Sequence, residues 1–266
     1  MKVHVIEGHL VHEHPGHAAP WILLHGFTGS PMSFAALRQR LPKTTGTVAL
    51  TLPGHGPLPL ARAEQSFDDA VDALARVLRA YAPAPMLGYS LGGRLAMGLL
   101  RRHPHLISRL VAIAAHPGLH DRAAAQRRRQ ADQRLAAGLR QNGREAFMAT
   151  WQDLPLFASQ RQLPPALLEA QRRVRRQHDA GQLAAALEQL SLGGMPTNAP
   201  ATSRAHQPVD LLVGAKDHKF VALNQELARG SPRCRLHIVE DVGHNVLLEA
   251  PGAVARLMVE RRRLRS

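Results

Sequence analysis

The amino-acid sequence predicts an α/β fold: a mostly parallel, doubly wound sheet interrupted by a helical insertion. Three observations carry that prediction. Trp21-Ile22-Leu23-Leu24 is a short continuous apolar run bounded by turn residues, as a strand buried on both faces of a sheet requires, and Thr47-Val48-Ala49-Leu50, Leu110-Val111-Ala112-Ile113-Ala114 and Val209-Asp210-Leu211-Leu212-Val213 read as further strands. Helical patterns alternate with them, which describes parallel strands joined by helices. From Asp121 to about Ser191 the rhythm breaks, and the sequence reads as successive helices broken at Gly143, Pro155, Pro164-Pro165 and Gly181. The expected organisation is a core of residues 1–119 and 201–266, with a helical lid over residues 120–200.

Taken in order, Val3 to Ile6 alternates polar and apolar residues and forms an edge hairpin with His9 to His12. His9, His12, His14 and His17 cluster there. No carboxylate pair at helical spacing accompanies them, so solvent-exposed histidines are expected rather than a metal site. Trp21 to Leu24 leads into His25-Gly26-Phe27-Thr28-Gly29-Ser30 and the helical pattern Phe34, Leu37, Leu41. Leu52-Pro53-Gly54-His55-Gly56 follows the next strand, and Ser66 caps a helix through Val71, Leu74, Ala75 and Leu78. Met86-Leu87 enters a glycine-rich turn, and Leu91 to Arg101 forms the helix beyond it. After the insertion come the strand Val209 to Gly214, a helix around Val221 to Leu227, the strand Leu236 to Val239 and one final amphipathic helix.

Composition narrows the function classes. The 266 residues suffice for a sizeable core, and 45% are hydrophobic. No uninterrupted apolar run is long enough to span a bilayer, and the N-terminus lacks the apolar core of a signal peptide, so a cytoplasmic location is expected. Cys234 is the only cysteine, which excludes an intrachain disulfide and a cysteine-built metal centre within one chain. No cofactor is implied. The net charge of +14 comes almost entirely from arginine, concentrated in Arg127-Arg128-Arg129, Arg172-Arg173-Val174-Arg175-Arg176 and the tail Arg261-Arg262-Arg263-Leu264-Arg265. With aromatics at 4% there are few platforms for stacking bases, so a solvated basic face is expected and no nucleic-acid partner.

The chemistry points to Gly88-Tyr89-Ser90-Leu91-Gly92-Gly93-Arg94. This is a G-x-S-x-G nucleophile elbow, in which a strand turns sharply into a helix and presents a serine hydroxyl above the sheet. The backbone N–H of Leu91 is one candidate oxyanion donor, and that of Phe27, in the turn after an earlier buried strand, is the second. Asp217 and His244 each stand just past a later strand, so the chain order is Ser90, Asp217, His244, that of an α/β-hydrolase triad. In that triad the histidine takes the serine proton, and the aspartate holds the imidazole tautomer. Asp241 is the competing acid. It lies three residues before His244 in the same loop and not at a strand end, so Asp217 is preferred.

The chain also resembles the 2-succinyl-6-hydroxy-2,4-cyclohexadiene-1-carboxylate synthases, α/β-hydrolase-fold lyases of menaquinone biosynthesis. Leu24 to Ser30 and Gly88 to Arg94 carry the likeness, with Pro117-Gly118-Leu119, the arginine-rich helix containing Asp132, Trp151 with Pro155-Leu156-Phe157, Leu183-Ala184-Ala185, Lys216 to Phe220 and Gly243-His244-Asn245. The resemblance implies elimination of pyruvate from a substrate bearing several carboxylates. The reaction begins with proton abstraction by the serine–histidine pair and forms no acyl-enzyme. It further implies Arg94, Arg128 and Arg175 as carboxylate clamps, and Tyr89 and Trp151 as pocket residues, consistent with the bidentate fit of guanidinium to carboxylate. The sequence departs from the family at Thr51, where aspartate is usual, at Pro57-Leu58-Pro59 and at Leu192-Gly193-Gly194-Met195-Pro196. The alternatives are a carboxylesterase or thioesterase using the same triad, and a non-catalytic binding protein on the same scaffold.

Overall fold

The computed structural model describes residues 1–56 and 66–260. The departure at Pro57-Leu58-Pro59 and the basic tail from Arg261 lie outside them. Among the described residues the strands are β1 (Lys2–Ile6), β2 (His9–His14), β3 (Trp21–Leu24), β4 (Thr47–Leu50), β5 (Ala84–Tyr89), β6 (Ile107–Ile113), β7 (Val209–Gly214) and β8 (Cys234–Val239). They form one sheet in the order β1-β2-β4-β3-β5-β6-β7-β8. β4, β3 and β5 to β8 run parallel, while the β1–β2 hairpin joins β4 antiparallel.

The helices are α1 (Ala35–Arg38), α2 (Phe67–Leu78), α3 (Leu91–Arg102), α4 (Arg122–Gln152), α5 (Pro165–Arg175), α6 (Ala180–Gln189), α7 (Ala199–Ser203), α8 (His218–Arg229), α9 (Val246–Glu249) and α10 (Pro251–Val259). Ser66 caps α2 as expected: its hydroxyl accepts from Asp69 N–H, and the Asp69 carboxylate accepts from Ser66 N–H.

Successive side chains of a strand point to opposite faces, so each buried strand feeds two cores. Ile22 and Leu24 pack with Val71 and Leu74 of α2 and Leu95 of α3 on one side. Leu23 packs with Leu37 of α1, Leu247 of α9 and Leu257 of α10 on the other. Each fully buried leucine contributes roughly 1.5–3 kcal/mol. The chain goes from β3 to β4 on one side and returns to β5 on the other, which makes β3/β5 the topological switch point. Ligands of open α/β sheets bind beyond the strand C-termini there.

The helical insertion α4 to α6 lies between β6 and β7 and has an apolar cluster of its own, Ala136, Leu139, Phe147, Leu183, Ala184 and Leu187. Gly143 interrupts α4 with φ 80° and ψ 170°. Three expectations need correcting. Gly181 sits inside the first turn of α6, and the break precedes it, because the Asp179 carboxylate accepts from Gln182 N–H at 2.9 Å and caps the helix just before Ala180. The final helix is two, α9 and α10, because Pro251 restarts the chain. His9 is buried and not exposed: β2 pairs with β4, which brings Thr51 O within 2.8 Å of His9 Nδ1.

Candidate active site

Ser90 ends the turn between β5 and α3 with φ 51° and ψ −106°, a left-handed conformation for a residue bearing a side chain. Its N–H donates to Ile113 O at 2.8 Å, which ties the turn to β6. Space explains the flanking glycines: a Cβ on Gly92 would lie 2.1 Å from Leu24 O, and one on Gly88 2.4 Å from Gly92 O. Strand, turn and helix therefore close on one another with no room for a side chain.

Asp217 and His244 follow β7 and β8 and meet at this elbow. His244 Nδ1–H donates to Asp217 Oδ2 at 2.6 Å. That proton leaves Nε2 as an acceptor, 3.3 Å from Ser90 Oγ. His244 and Asp217 are both buried, so the carboxylate acts on the ring without solvent screening. Asp241 is almost wholly exposed and pairs with Lys216 at 3.6 Å, away from this contact.

Leu91 is the first residue of α3, a position whose N–H has no intrahelical partner. Phe27 stands in the turn after β3 and lines the same cavity as Ser90. The carbonyl of Gly26, in the peptide that carries the Phe27 N–H, accepts from Gly29 N–H at 2.9 Å. Gly26 itself has no room for a Cβ, which would fall 2.7 Å from Tyr89 Cε1.

The cavity over Ser90 has a volume of about 200 Å³, and Arg94, Arg128, Trp151 and Tyr89 line it with His244. A second cavity of about 270 Å³ adjoins it, sharing Phe27, Tyr89 and Phe157. Arg175 lines this second cavity, and its guanidinium lies 5.8 Å from the Phe157 ring centroid. Of the five pocket residues expected from the sequence, four thus meet at the serine, and Arg175 lies in the neighbouring cavity.

Arg94 is one helical turn past Ser90, with Nη1–H donating to Leu190 O at 2.9 Å. Burial, and next the neighbouring Arg128, pull its guanidinium down to about 10, so it stays charged at neutral pH. Arg128 Nε–H is shared between the two Asp132 oxygens at 2.9 Å each, and Ser191 O–H donates to the same carboxylate at 2.7 Å. Asp132 is buried, so this i,i+4 pair anchors Arg128 on α4. Burial raises the Tyr89 phenol above its usual range and keeps it neutral. Trp151 Nε1 is buried with no acceptor among the described residues, although the ring stacks on Phe147 at 5.3 Å. An unsatisfied buried donor in a cavity wall invites a polar ligand atom.

Lys219 and His116 are among the lining residues that sequence reasoning left out of the site. Lys219 adds a cation to the cavity. His116 accepts from Gly118 N–H through Nδ1 at 3.1 Å, and burial, then Lys219, push it down to about 4, so the ring is neutral with its proton on Nε2. The usable signal was position: His116 lies just past the C-terminal end of β6, where ligands of such sheets collect.

A strained serine above a parallel sheet, with an acid and a histidine supplied by later strand ends, defines the α/β-hydrolase class of protein. Comparison with known proteins agrees, since residues 21–257 match the alpha/beta hydrolase family. The 2-succinyl-6-hydroxy-2,4-cyclohexadiene-1-carboxylate synthase of Enterobacter sp. (strain 638) is 33% identical over 250 residues, covering 92% of this chain and 93% of the relative. The enzyme of the same name from Citrobacter koseri is 33% identical over 249 residues, covering 92% and 95%. Among solved structures, MenH from S. aureus superposes with a TM-score of 0.88 at 26% identity, over 94% of this chain and 96% of that one. A thermophilic esterase from Thermogutta terrifontis reaches 0.79 at 22% identity, over 94% of this chain and 91% of that one, which shares the fold alone. The chain belongs to the alpha/beta hydrolase family and, within it, to the 2-succinyl-6-hydroxy-2,4-cyclohexadiene-1-carboxylate synthases.

Proposed function

We propose that this enzyme eliminates pyruvate from 2-succinyl-5-enolpyruvyl-6-hydroxy-3-cyclohexene-1-carboxylate to give 2-succinyl-6-hydroxy-2,4-cyclohexadiene-1-carboxylate. His244, through the Ser90 hydroxyl, removes a ring proton, and the C–O bond to the enolpyruvyl group then breaks. Asp217 holds the imidazole in the accepting tautomer and stabilises its charge once protonated. The N–H groups of Phe27 and Leu91 stabilise the negative charge that develops on the conjugated carboxylate.

The observation that carries this reading is the charge at the serine. Arg94 stands one turn from the nucleophile in a buried wall, with Arg128 and Lys219 lining the same cavity. A simple ester needs no such concentration of cations, whereas a polycarboxylate does. Tyr89 and Trp151 shape this cavity, and Arg175 holds a further carboxylate in the adjoining one. The insertion, residues 120–200, acts as the lid. The enzyme works on a small anionic substrate in the cytoplasm, without a cofactor and without a nucleic-acid partner. Several surface arginines are already engaged by acids, including Arg102 with Asp72 at 2.5 Å and Arg140 with Glu188 at 2.7 Å. No helix among the described residues is long and apolar enough to cross a membrane.

The test is direct. Pyruvate release from the enolpyruvyl substrate is followed with a coupled assay in the wild type and in Ser90→Ala. The variant should lose roughly three or more orders of magnitude in kcat, and full activity would sink the proposal. A rapid burst with p-nitrophenyl acetate and an accumulating acyl-enzyme would instead favour the esterase.

A further inference from the structure

Three buried histidines, His25, His55 and His178, fall outside the residues that line the two cavities. They pack ring on ring, with His25 and His55 centroids 5.0 Å apart and His55 and His178 5.5 Å apart. Each ring nitrogen faces a backbone group whose role is fixed. His25 accepts from Leu52 N–H through Nε2 at 3.1 Å and donates from Nδ1 to Gly26 O at 2.8 Å. His55 accepts from Thr28 N–H through Nε2 at 3.2 Å and donates from Nδ1 to Pro53 O at 2.9 Å. His178 accepts from Gly56 N–H through Nδ1 at 2.9 Å and donates from Nε2 to Thr28 O at 3.0 Å.

An amide N–H can only donate and a carbonyl only accept, so each ring is neutral and held in one tautomer. A second proton would set an N–H against an N–H. Burial, the leading cause in each case, lowers all three below the usual imidazole range.

These bonds converge on one turn. Gly26 O belongs to the peptide whose N–H is that of Phe27, and a trans peptide points its N–H opposite its carbonyl. Holding Gly26 O from the His25 side therefore aims the Phe27 N–H the other way. The next residue, Thr28, is buried with φ 62°, and both of its backbone polar groups are held by histidines. One of those, His178, comes from the segment between α5 and α6 of the lid. The lid also seats on the Leu52–Gly56 turn, where a Cβ on Gly54 would fall 2.6 Å from Ala186 Cβ.

We propose that His25, His55 and His178 are positioning residues that hold the oxyanion turn in its working shape, and that His178 makes this shape depend on docking of the lid. The proposal rests on the reading of Phe27 as an oxyanion donor. Its consequence is that an undocked lid leaves the triad in place but the oxyanion donor loosely aimed.

Two substitutions in the full-length enzyme separate this from simple packing. His178→Asn keeps an acceptor for Gly56 N–H but is too short to reach Thr28 O, whereas His178→Gln extends an amide N–H to Thr28 O. Two rates are read: kcat and KM for pyruvate elimination, and phosphonylation of Ser90 by an alkyl fluorophosphonate, in which Ser90 Oγ displaces fluoride and the phosphoryl oxygen uses the same donors. A whole oxyanion donor is worth roughly 10²–10³ in rate, so loss of one supporting bond should lower kcat and labelling by about tenfold in His178→Asn. KM should stay within about twofold, since a transition-state interaction alone is lost. His178→Gln should recover most of both rates. Unchanged kcat and labelling in His178→Asn, or an effect on KM alone, would overturn the proposal. Slower labelling in an enzyme that releases no pyruvate would sink the substrate assignment and leave the histidine device standing. If the variants do not fold, imidazole ¹⁵N spectra of the wild type decide. They should show protonated Nδ1 on His25 and His55 and protonated Nε2 on His178 at neutral pH, and charged or tautomer-averaged rings would refute it.

Discussion

Replacing Arg94 by methionine should damage catalysis and spare stability, and the two signs follow from the same burial. Arg94 is pulled down to about 10, burial being the main cause and Arg128 the next. A guanidinium whose folded value is lowered is destabilised in the folded state at every pH below that value. At neutral pH the cost is therefore fully present, roughly 3 kcal/mol as an upper figure. Its bond to Leu190 O returns about 1 kcal/mol. Methionine, of similar length and no charge, removes both, so the melting temperature should stay level or rise. For substrate binding, loss of one charge-assisted fork to a carboxylate costs about 3–4 kcal/mol, or roughly 10²–10³ in kcat/KM. The assay pairs calorimetric melting with pyruvate release on the same preparation. A variant that keeps kcat/KM within about threefold, or that melts well below the wild type, would refute the reasoning about Arg94.

Further outcomes follow from other contacts. Asp217→Asn should lower kcat by roughly 10³–10⁴, because an asparagine no longer enforces the Nδ1–H tautomer of His244, whereas exposed Asp241→Asn should leave it unchanged. The reverse pattern would exchange their roles. Trp151→Phe keeps the ring stacked on Phe147 but deletes the unsatisfied Nε1–H, so substrate affinity should fall roughly tenfold by titration calorimetry with the product, and an unchanged affinity would remove Trp151 from the binding set. Asp72 is held down to about 2, chiefly by Arg102 and then by His103. A carboxylate lowered on folding stabilises above its unfolded value and loses that contribution as pH falls toward the folded one. Denaturant midpoints of the wild type and Asp72→Asn should therefore differ at pH 6 and converge between about pH 4 and 2.

Much of the fold and of the candidate site was legible in local sequence. Strands buried on both faces cannot alternate with polar residues, so Trp21 to Leu24 and Thr47 to Leu50 announced themselves as apolar runs. The elbow was legible because its constraint is contiguous: Gly88 and Gly92 flank Ser90 where Cβ atoms would strike backbone. Strand ends and chain order then pointed to Asp217 and His244. His9 was misjudged because its burial depends on the pairing of β2 with β4, between residues some forty positions apart. Arg175 looked equivalent to Arg128 in sequence, since both sit in basic runs on helices. Only packing decided that one faces the serine and the other the adjoining cavity behind Tyr89 and Phe157.

By itself, then, the sequence determined the parallel sheet, the tight serine turn with a later aspartate and histidine at strand ends, and the arginine excess. These follow from periodicity, glycine sterics and charge, which act over a few residues. The tertiary structure alone decided which arginines share a cavity with Ser90, that Asp132 and Ser191 hold Arg128, and that three histidines from distant segments grip the turn bearing Phe27. Those arrangements are made by contacts as far apart as Thr28 and His178, and an isolated imidazole or guanidinium in a sequence carries no mark of the backbone group it will meet.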